Sequence, residues 1–293
     1  MNIGWIGTGV MGNSMCGHII KNGYKAFIYN RTASKTQALA SLGATVCSSP
    51  SEVANNSDII FSIVGYPSDV EEVYLGNNGI LSGAKYGSII VDMTTSTPAL
   101  AEKIYREAKN KNIGSLDAPV SGGDVGAREA TLSIMTGGDE ETFNKVLPFF
   151  KFMGKNIALM GSQGKGQHTK MSNQIVIAST MVGVVEGLLY AQKAGLDQGK
   201  LLDIIGQGAA ASFSLNNLVR RIVNKNFDPG FFIKHFIKDM GIALEEARRM
   251  QLSLPGLALA NQLYISASAI GLENFGTHAL YKVLAHINSA KEN

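Results

Sequence analysis

A chain of 293 residues exceeds one ordinary domain and suits two, and 45% apolar with 17% charged residues describes a globular protein with a sizeable core. Its 33 glycines are scattered singly or in pairs, which excludes a collagen-like or low-complexity chain. The net charge of +3, with no run of basic residues, gives no sign of a nucleic-acid binder, and two cysteines, Cys16 and Cys47, cannot form a disulfide framework.

The N-terminal residues show no signal or transit pattern, so a reducing, cytoplasmic setting is expected. The longest apolar stretch, residues 175–191, is interrupted by Ser179, Thr180, Glu186 and two glycines and reads as a buried helix rather than a membrane span. Up to about residue 160, short β-branched runs alternate with helical patterns. Strands are expected over 3–6, 26–29, 59–64, 89–92, 114–117, 132–135 and 157–159. Helices are expected over 11–22, 33–41, 68–74, 98–111 and 140–150, and Ser49-Pro50-Ser51-Glu52 carries the cap, proline and glutamate of a further helix start. Nearly all-apolar strands alternating with helices imply a parallel, doubly wound α/β domain.

Beyond the glycine-rich stretch 161–166 no convincing strand appears. Helical periodicity runs from Gln167 to the C-terminus, broken at Gly195, Gly206-Gln207-Gly208, Asp228-Pro229-Gly230 and Leu254-Pro255-Gly256. The first of these helices is expected from about His168 to Ala194, long enough to pass from one domain to the next. The expected division is a nucleotide-binding domain over 1–163 and an all-α domain over 164–293 that holds substrate and subunit contacts.

Gly7-Thr8-Gly9-Val10-Met11-Gly12 follows a strand and opens a helix, the context in which Gly-x-Gly-x-x-Gly binds a dinucleotide. Gly7 permits the tight turn, Gly9 a close backbone approach to pyrophosphate, and Gly12 close helix–sheet packing, while the N–H groups of Val10 and Met11 open the helix toward the anion. The second strand ends at Tyr29-Asn30-Arg31-Thr32, where an NAD site ordinarily carries an acid. Asn30 removes the charge that would repel a 2′-phosphate, Arg31 offers a fork to hold one, and Thr32 and Lys35 add donors, which favours NADP. Val64, at the end of the strand over 59–64, completes the cofactor set.

Thr94 and Thr95 lie just past a strand end, where their hydroxyls either meet a ligand or serve the helix start at Thr97-Pro98. Ser121-Gly122-Gly123 offers a hydroxyl and two bare backbone units that suit a small carboxylate, or a turn needing positive φ. Lys170, Asn173 and Gln174 share one helix face, continued by Ile177 and Ala178, so these polar groups need partners or line a cleft. A partly desolvated lysine beside a cationic ring suits general acid–base work. His168 points elsewhere, and no histidine shows metal-ligand spacing, so no metal site is expected. Arg220 and Arg128 are candidate cations for a second substrate carboxylate.

Together these stretches resemble the β-hydroxyacid dehydrogenase family, which includes 3-hydroxyisobutyrate dehydrogenase, tartronate semialdehyde reductase and glyoxylate/succinic semialdehyde reductases. The resemblance covers essentially the whole chain and rests on five motifs: Gly7–Gly12; Asp92-Met93-Thr94-Thr95 with Pro98; Asp117 to Gly123; Gly164-Lys165-Gly166 leading to Lys170 and Asn173; and Lys238-Asp239-Met240. It implies a Rossmann-type domain followed by an all-α domain. It implies Lys170 as catalytic acid/base, Ser121, Gly122 and Gly123 on the substrate carboxylate, and Asn173 orienting the substrate. It also implies Thr95 and Lys238 near the nicotinamide, Asp239 fixing Lys238, and Phe231 near the substrate. Relatives are dimers or tetramers, so a homo-oligomer is expected.

Asn173-Gln174 looks more like tartronate semialdehyde reductase, whereas Asn30-Arg31-Thr32 looks more like the NADP-using glyoxylate/succinic semialdehyde branch. The expectation is therefore an NADP-dependent oxidoreductase interconverting a short carboxylate-bearing aldehyde and its hydroxyacid. The alternatives are an imine reductase and a non-catalytic dinucleotide-binding protein on the same fold.

Overall fold

A computed structural model describes residues 1–290. The strands are β1 (Asn2–Ile6), β2 (Lys25–Tyr29), β3 (Thr45–Val46), β4 (Ile59–Ser62), β5 (Ile89–Asp92), β6 (Gly114–Asp117), β7 (Val120–Ser121), β8 (Leu132–Gly138) and β9 (Gly154–Leu159). They form one sheet in the order β3-β2-β1-β4-β5-β6-β8-β7, with β9 paired to β8. Pairing is parallel from β3 across to β6, β8 runs antiparallel to both β6 and β7, and β9 is parallel to β8. Strand order reverses between β1 and β4, so the loops that follow these two strands lie side by side at the carboxyl edge, where open α/β sheets take ligands.

Helices in the same unit are α1 (Val10–Lys21), α2 (Gln37–Ala40), α3 (Pro50–Asn55), α4 (Pro67–Leu75), α5 (Ile80–Gly83), α6 (Pro98–Lys109), α7 (Gly123–Arg128) and α8 (Glu140–Phe150). The period of two along the strands decides which face each side chain enters. Trp5, Phe61 and Val91 join one core with Met15 and Phe150, whereas Ile60 and Ile90 join another with Val53, Val70 and Ile104. Ser49 caps α3 by accepting from the Glu52 N–H, and Thr97 caps α6 by accepting from the Leu100 N–H, both with proline in the first turn.

Several expected elements change. The helix over 33–41 is a 3₁₀ turn, Ala33–Thr36, followed by the single turn α2. The strand over 59–64 ends at Ser62, which leaves Val64 in the following loop with its N–H donated to Thr94 Oγ1. Neither two-residue strand was legible, since β3 and β7 are too short for any hydrophobic alternation. The glycine-rich α5 and α7 likewise lack a helical signature in sequence.

A second compact unit begins at Met171. The long helix α9 (Lys165–Lys193) starts three residues earlier than expected and links the two units. The others are α10 (Gln198–Ile205), a π-helical stretch Ser214–Val219 running into α11 (Arg220–Val223), α12 (Ile233–Arg249), α13 (Pro255–Ala269) and α14 (Leu280–Ile287). A lone bridge between Phe232 and Gly276 is the only β pairing described in this unit. α9 is long and apolar enough to cross a membrane by length and composition alone. Its Met181, Val185 and Leu188 pack into the helical core with Phe236, Met240, Tyr264 and Leu280.

The close packing of α1 on β1 rests on Gly12. A Cβ there would collide with the Gly7 carbonyl oxygen and lie 2.9 Å from Trp5 Nε1, the donor that bonds this same carbonyl at 3.0 Å. Gly12→Ala is therefore expected to cost about 1–3 kcal/mol through overpacking. Urea denaturation followed by the fluorescence of Trp5, the single tryptophan, measures the cost and the broken bond together. An unchanged midpoint and emission spectrum would contradict this packing.

Candidate active site

The glycine loop is tied to the end of β2 rather than left to its own stiffness. Gly7 N–H donates to the Tyr29 carbonyl at 2.9 Å, and Thr8 N–H donates to Asn30 Oδ1 at 3.0 Å. Asn30 Nδ2 in turn donates to the Thr32 carbonyl, and Thr8 Oγ1 to the carbonyl of Lys35. Asn30 thus spans two loops as a structural tie, a role the sequence did not suggest. Gly9 caps α1, and a Cβ built on it meets no protein atom within 4 Å, so open space lies in front of the helix start and of Val10, which is 63% exposed. Met11 beside it is half-buried. Such a cradle fits a dinucleotide pyrophosphate.

Arg31, Thr32 and Lys35 are all exposed. The Arg31 guanidinium is held by Asp69 through Nη1–Oδ1 at 2.8 Å. Asp69 itself is fixed in the first turn of α4, where its Oδ2 accepts the Tyr66 N–H at 3.1 Å. Nothing in the spacing of one sequence links positions 31 and 69; the segments that follow β2 and β4, the strands on either side of β1, bring them together.

Two carboxylates are buried at neighbouring strand ends, with Asp92 and Asp117 in register across β5 and β6. Asp92 Oδ1 accepts from Ser62 Oγ and from the Thr94 N–H, both at 3.0 Å, and Ser62 Oγ shares a 2.8 Å bond with the Tyr74 hydroxyl. Burial pushes the Asp92 carboxyl up to about 6 against these hydrogen bonds, and raises Asp117 and the Tyr74 hydroxyl as well. Asp117 accepts the N–H groups of Gly164 at 2.7 Å and Gln167 at 2.8 Å. The Gln167 amide, fully buried, accepts from Ser96 N–H at 2.9 Å and donates to the Thr94 carbonyl at 2.7 Å. Thr95, half-buried, sits between those two anchor points. Thr94 Oγ1 serves the Val64 N–H, which gives that hydroxyl a structural use.

Ser121 ends β7 opposite Ser133, and Gly122 (φ 130°) and Gly123 (φ 63°) follow in a backbone region that side chains rarely adopt. Of the two readings of this stretch, the geometry bears out the turn that needs glycine.

Lys170 is 6% exposed and Gln174 1%, while Asn173 is half-buried and donates to Gln174 Oε1 at 2.9 Å. In the second unit Gln174 Nε2 donates to Asp239 Oδ2 at 2.6 Å, and Lys238 pairs with Asp239 Oδ1 at 2.9 Å. Phe231, also in that unit, meets Phe236 edge-on at 5.7 Å. Arg220 is paired with Asp203 and Arg128 with Asp124, each at 2.7 Å. Burial holds the Cys47 thiol up at about 11 and raises Cys16 further, so neither is poised as a nucleophile.

Residues 2–161 match the family model described as the NAD-binding domain of 6-phosphogluconate dehydrogenase. Residues 164–284 match the one described as the NAD-binding domain of NADP-dependent 3-hydroxyisobutyrate dehydrogenase. The chain belongs to the β-hydroxyacid dehydrogenase family. Among relatives, an Arabidopsis thaliana protein named "Probable 3-hydroxyisobutyrate dehydrogenase-like 1, mitochondrial" is 56% identical, over 98% of this chain and 86% of its own. The 2-hydroxy-3-oxopropionate reductase of Escherichia coli is 38% identical, over 97% of each chain. A solved 3-hydroxyisobutyrate dehydrogenase from Mycobacterium tuberculosis, with L-serine, superposes with a TM-score of 0.88 at 26% identity, covering 97% of this chain and 98% of that one. As a β-hydroxyacid dehydrogenase the chain is an NAD(P)-dependent oxidoreductase acting on CH–OH donors.

In this β-hydroxyacid dehydrogenase the buried Asp92 gives stability a definite pH dependence. Between the ordinary carboxyl value of 3.8 and about 6 the folded protein keeps a proton that the unfolded chain has released. The contribution is full below the lower value and lost as pH rises through the upper one, so ionised Asp92 lowers stability at neutral pH. Asp92→Asn keeps the Oδ1 acceptor and is expected to raise Tm at neutral pH and flatten its fall across this window. Thermal melts at a series of pH values check it; an unchanged slope would refute the burial argument.

Proposed function

We propose that this β-hydroxyacid dehydrogenase reduces a short carboxylate-bearing aldehyde, a semialdehyde or glyoxylate, with NADPH and runs the hydroxyacid oxidation in reverse, with Lys170 as the acid/base. The observation that carries this reading is the burial of Lys170 on a helix face that continues into Asn173 and Gln174. Lysine is among the residues least often buried, and its amine can both give and take a proton. When bound, the dinucleotide supplies the hydride and, in oxidation, accepts it. Lys170 Nζ gives its proton to the carbonyl oxygen as that oxygen gains negative charge, and neutral Lys170 takes the hydroxyl proton in the opposite direction. Ser121 with the backbone of Gly122 and Gly123 holds the substrate carboxylate, Asn173 orients the reacting oxygen, and Phe231 packs on the substrate chain. Thr95 and Lys238 meet the nicotinamide end, with Asp239 fixing Lys238, and Val64 belongs to the cofactor set. Residues 1–163 would carry the cofactor and 164–293 the substrate and subunit contacts of a cytoplasmic homo-oligomer.

NADP is favoured because the end of β2 presents Asn30 and Arg31 and no acid, with Thr32 and Lys35 exposed beside them. The Arg31 fork is already aligned by Asp69 and offers its remaining donors to a 2′-phosphate.

NADPH oxidation against glyoxylate, succinic semialdehyde, tartronate semialdehyde, methylmalonate semialdehyde and a cyclic imine tests the substrate class. Turnover of one or two of the aldehyde acids is expected, and turnover of the imine alone would overturn the reading. Lys170→Ala is expected to lose on the order of 10²–10⁴-fold in kcat with NADPH binding nearly intact; equal loss of both would sink the acid/base role. Arg31→Ala is expected to weaken NADPH by about 10–100-fold, the worth of one charge-assisted contact, and NADH little. Parallel losses for the two cofactors, measured by fluorescence titration, would remove the phosphate assignment.

A further inference from the structure

We infer that Gln167 is a positioning residue: its side-chain amide sets the reach between Lys170 and the Thr94–Ser96 loop. The inference rests on the acid/base reading of Lys170 and adds the device that aligns it.

Gln167 lies in the first turn of α9, three residues before Lys170, so the two share a helix face. Its side chain leaves the helix and bonds two main-chain groups on either side of Thr95, accepting from Ser96 N–H and donating to the Thr94 carbonyl. An amide presents one acceptor and one donor in a single plane, which is what an unpaired carbonyl and N–H two residues apart require. Glutamate lacks the donor, methionine lacks both, and asparagine is one methylene too short to span the same gap. The loop gripped in this way is itself bonded to the loop that follows β4, through Thr94 Oγ1 and the Val64 N–H.

The turn bearing Gln167 is fixed independently. Asp117, reaching from the end of β6, accepts the N–H groups of Gly164 and Gln167 and so caps α9 from 47 and 50 residues away. Gly166 lets that turn lie against the strand end, since a Cβ there would approach the Asp117 carbonyl oxygen to 2.6 Å and Oδ2 to 2.7 Å. The carboxylate therefore fixes where the helix begins. The amide fixes how it is rotated against the loop that carries Thr95. With both ends held, Lys170 one turn later has its Cα placed to within the play of a few hydrogen bonds. Proton transfer needs such placement, because a displacement of about 1 Å costs on the order of 10²-fold in rate.

The test uses the full-length protein and three substitutions. Gln167→Met keeps the volume and removes both bonds; Gln167→Glu keeps the acceptor and regains a donor only when its buried carboxyl is protonated; Lys170→Ala is the reference. With the aldehyde acid turned over fastest in the panel above, Gln167→Met is expected to lose on the order of 10²-fold in kcat, with NADPH affinity little changed. For Gln167→Glu, the ratio of its kcat to the native value should rise as pH falls, whereas the same ratio for Gln167→Met stays flat. A merely structural residue would give parallel pH profiles. In the absence of cofactor, the rate and pH dependence of Lys170 acetylation by acetic anhydride, read by mass spectrometry, should change in Gln167→Met. Native labelling and native kcat in that variant would overturn the inference, as would a joint fall of kcat, NADPH affinity and Tm in both Gln167 variants. If Lys170→Ala keeps its turnover while labelling changes in Gln167→Met, the acid/base role fails and the positioning of Lys170 stands.

Discussion

At the ends of β5 and β6, two buried carboxylates take up backbone N–H groups of the chain beyond them, one at Asp92 and those of Gly164 and Gln167 at Asp117, and the arrangement of the first unit's candidate site depends on this. Asp92 holds the start of the Thr94–Ser96 loop, and Asp117 holds the start of α9. A carboxylate is costly to bury, and donors that have no other partner in a turn or a helix start offset only part of that cost, so both carboxyls stay raised. Removing either acid would release two segments at once, a strand end and the loop or helix it organises.

The same logic recurs at the nucleotide loop. Thr8 N–H, Asn30 and the Thr32 and Lys35 carbonyls form a small network that joins the end of β1 to the end of β2. The glycine loop is thereby supported from behind, while open space lies in front of Gly9 at the helix start. Arg31 is supported in turn by Asp69, and Asp69 by the Tyr66 N–H. In the helical unit the chain Lys238, Asp239, Gln174 and Asn173 repeats the pattern with side chains alone.

Much of the first unit was legible because parallel strands buried on both faces must be nearly all apolar. The strand at 89–92, Ile-Ile-Val-Asp, matches at both ends, and the helix at 140–150 does too. Positions that failed are those where local pattern carries no information. Two-residue strands have no period, glycine-rich turns of helix have no propensity, and the early start of α9 is set by Asp117, a residue remote in sequence.

The sequence by itself determined the class of fold, the glycine loop, the presence of Arg31 where an acid would otherwise stand, and the family to which Lys170 and Ser121 belong. Periodicity, glycine placement and motif order are local or one-dimensional, so a single chain displays them in full. Only the tertiary structure decided which buried polar group answers which. That Asn30 serves Thr8, Asp69 serves Arg31, Asp117 serves Gly164 and Gln167, and Gln167 serves Thr94 and Ser96 follows from strand ends and helix starts that folding gathers at one edge of the sheet. Hydrogen bonds act over about 3 Å, and no spacing along a chain states which residues folding will bring within that distance.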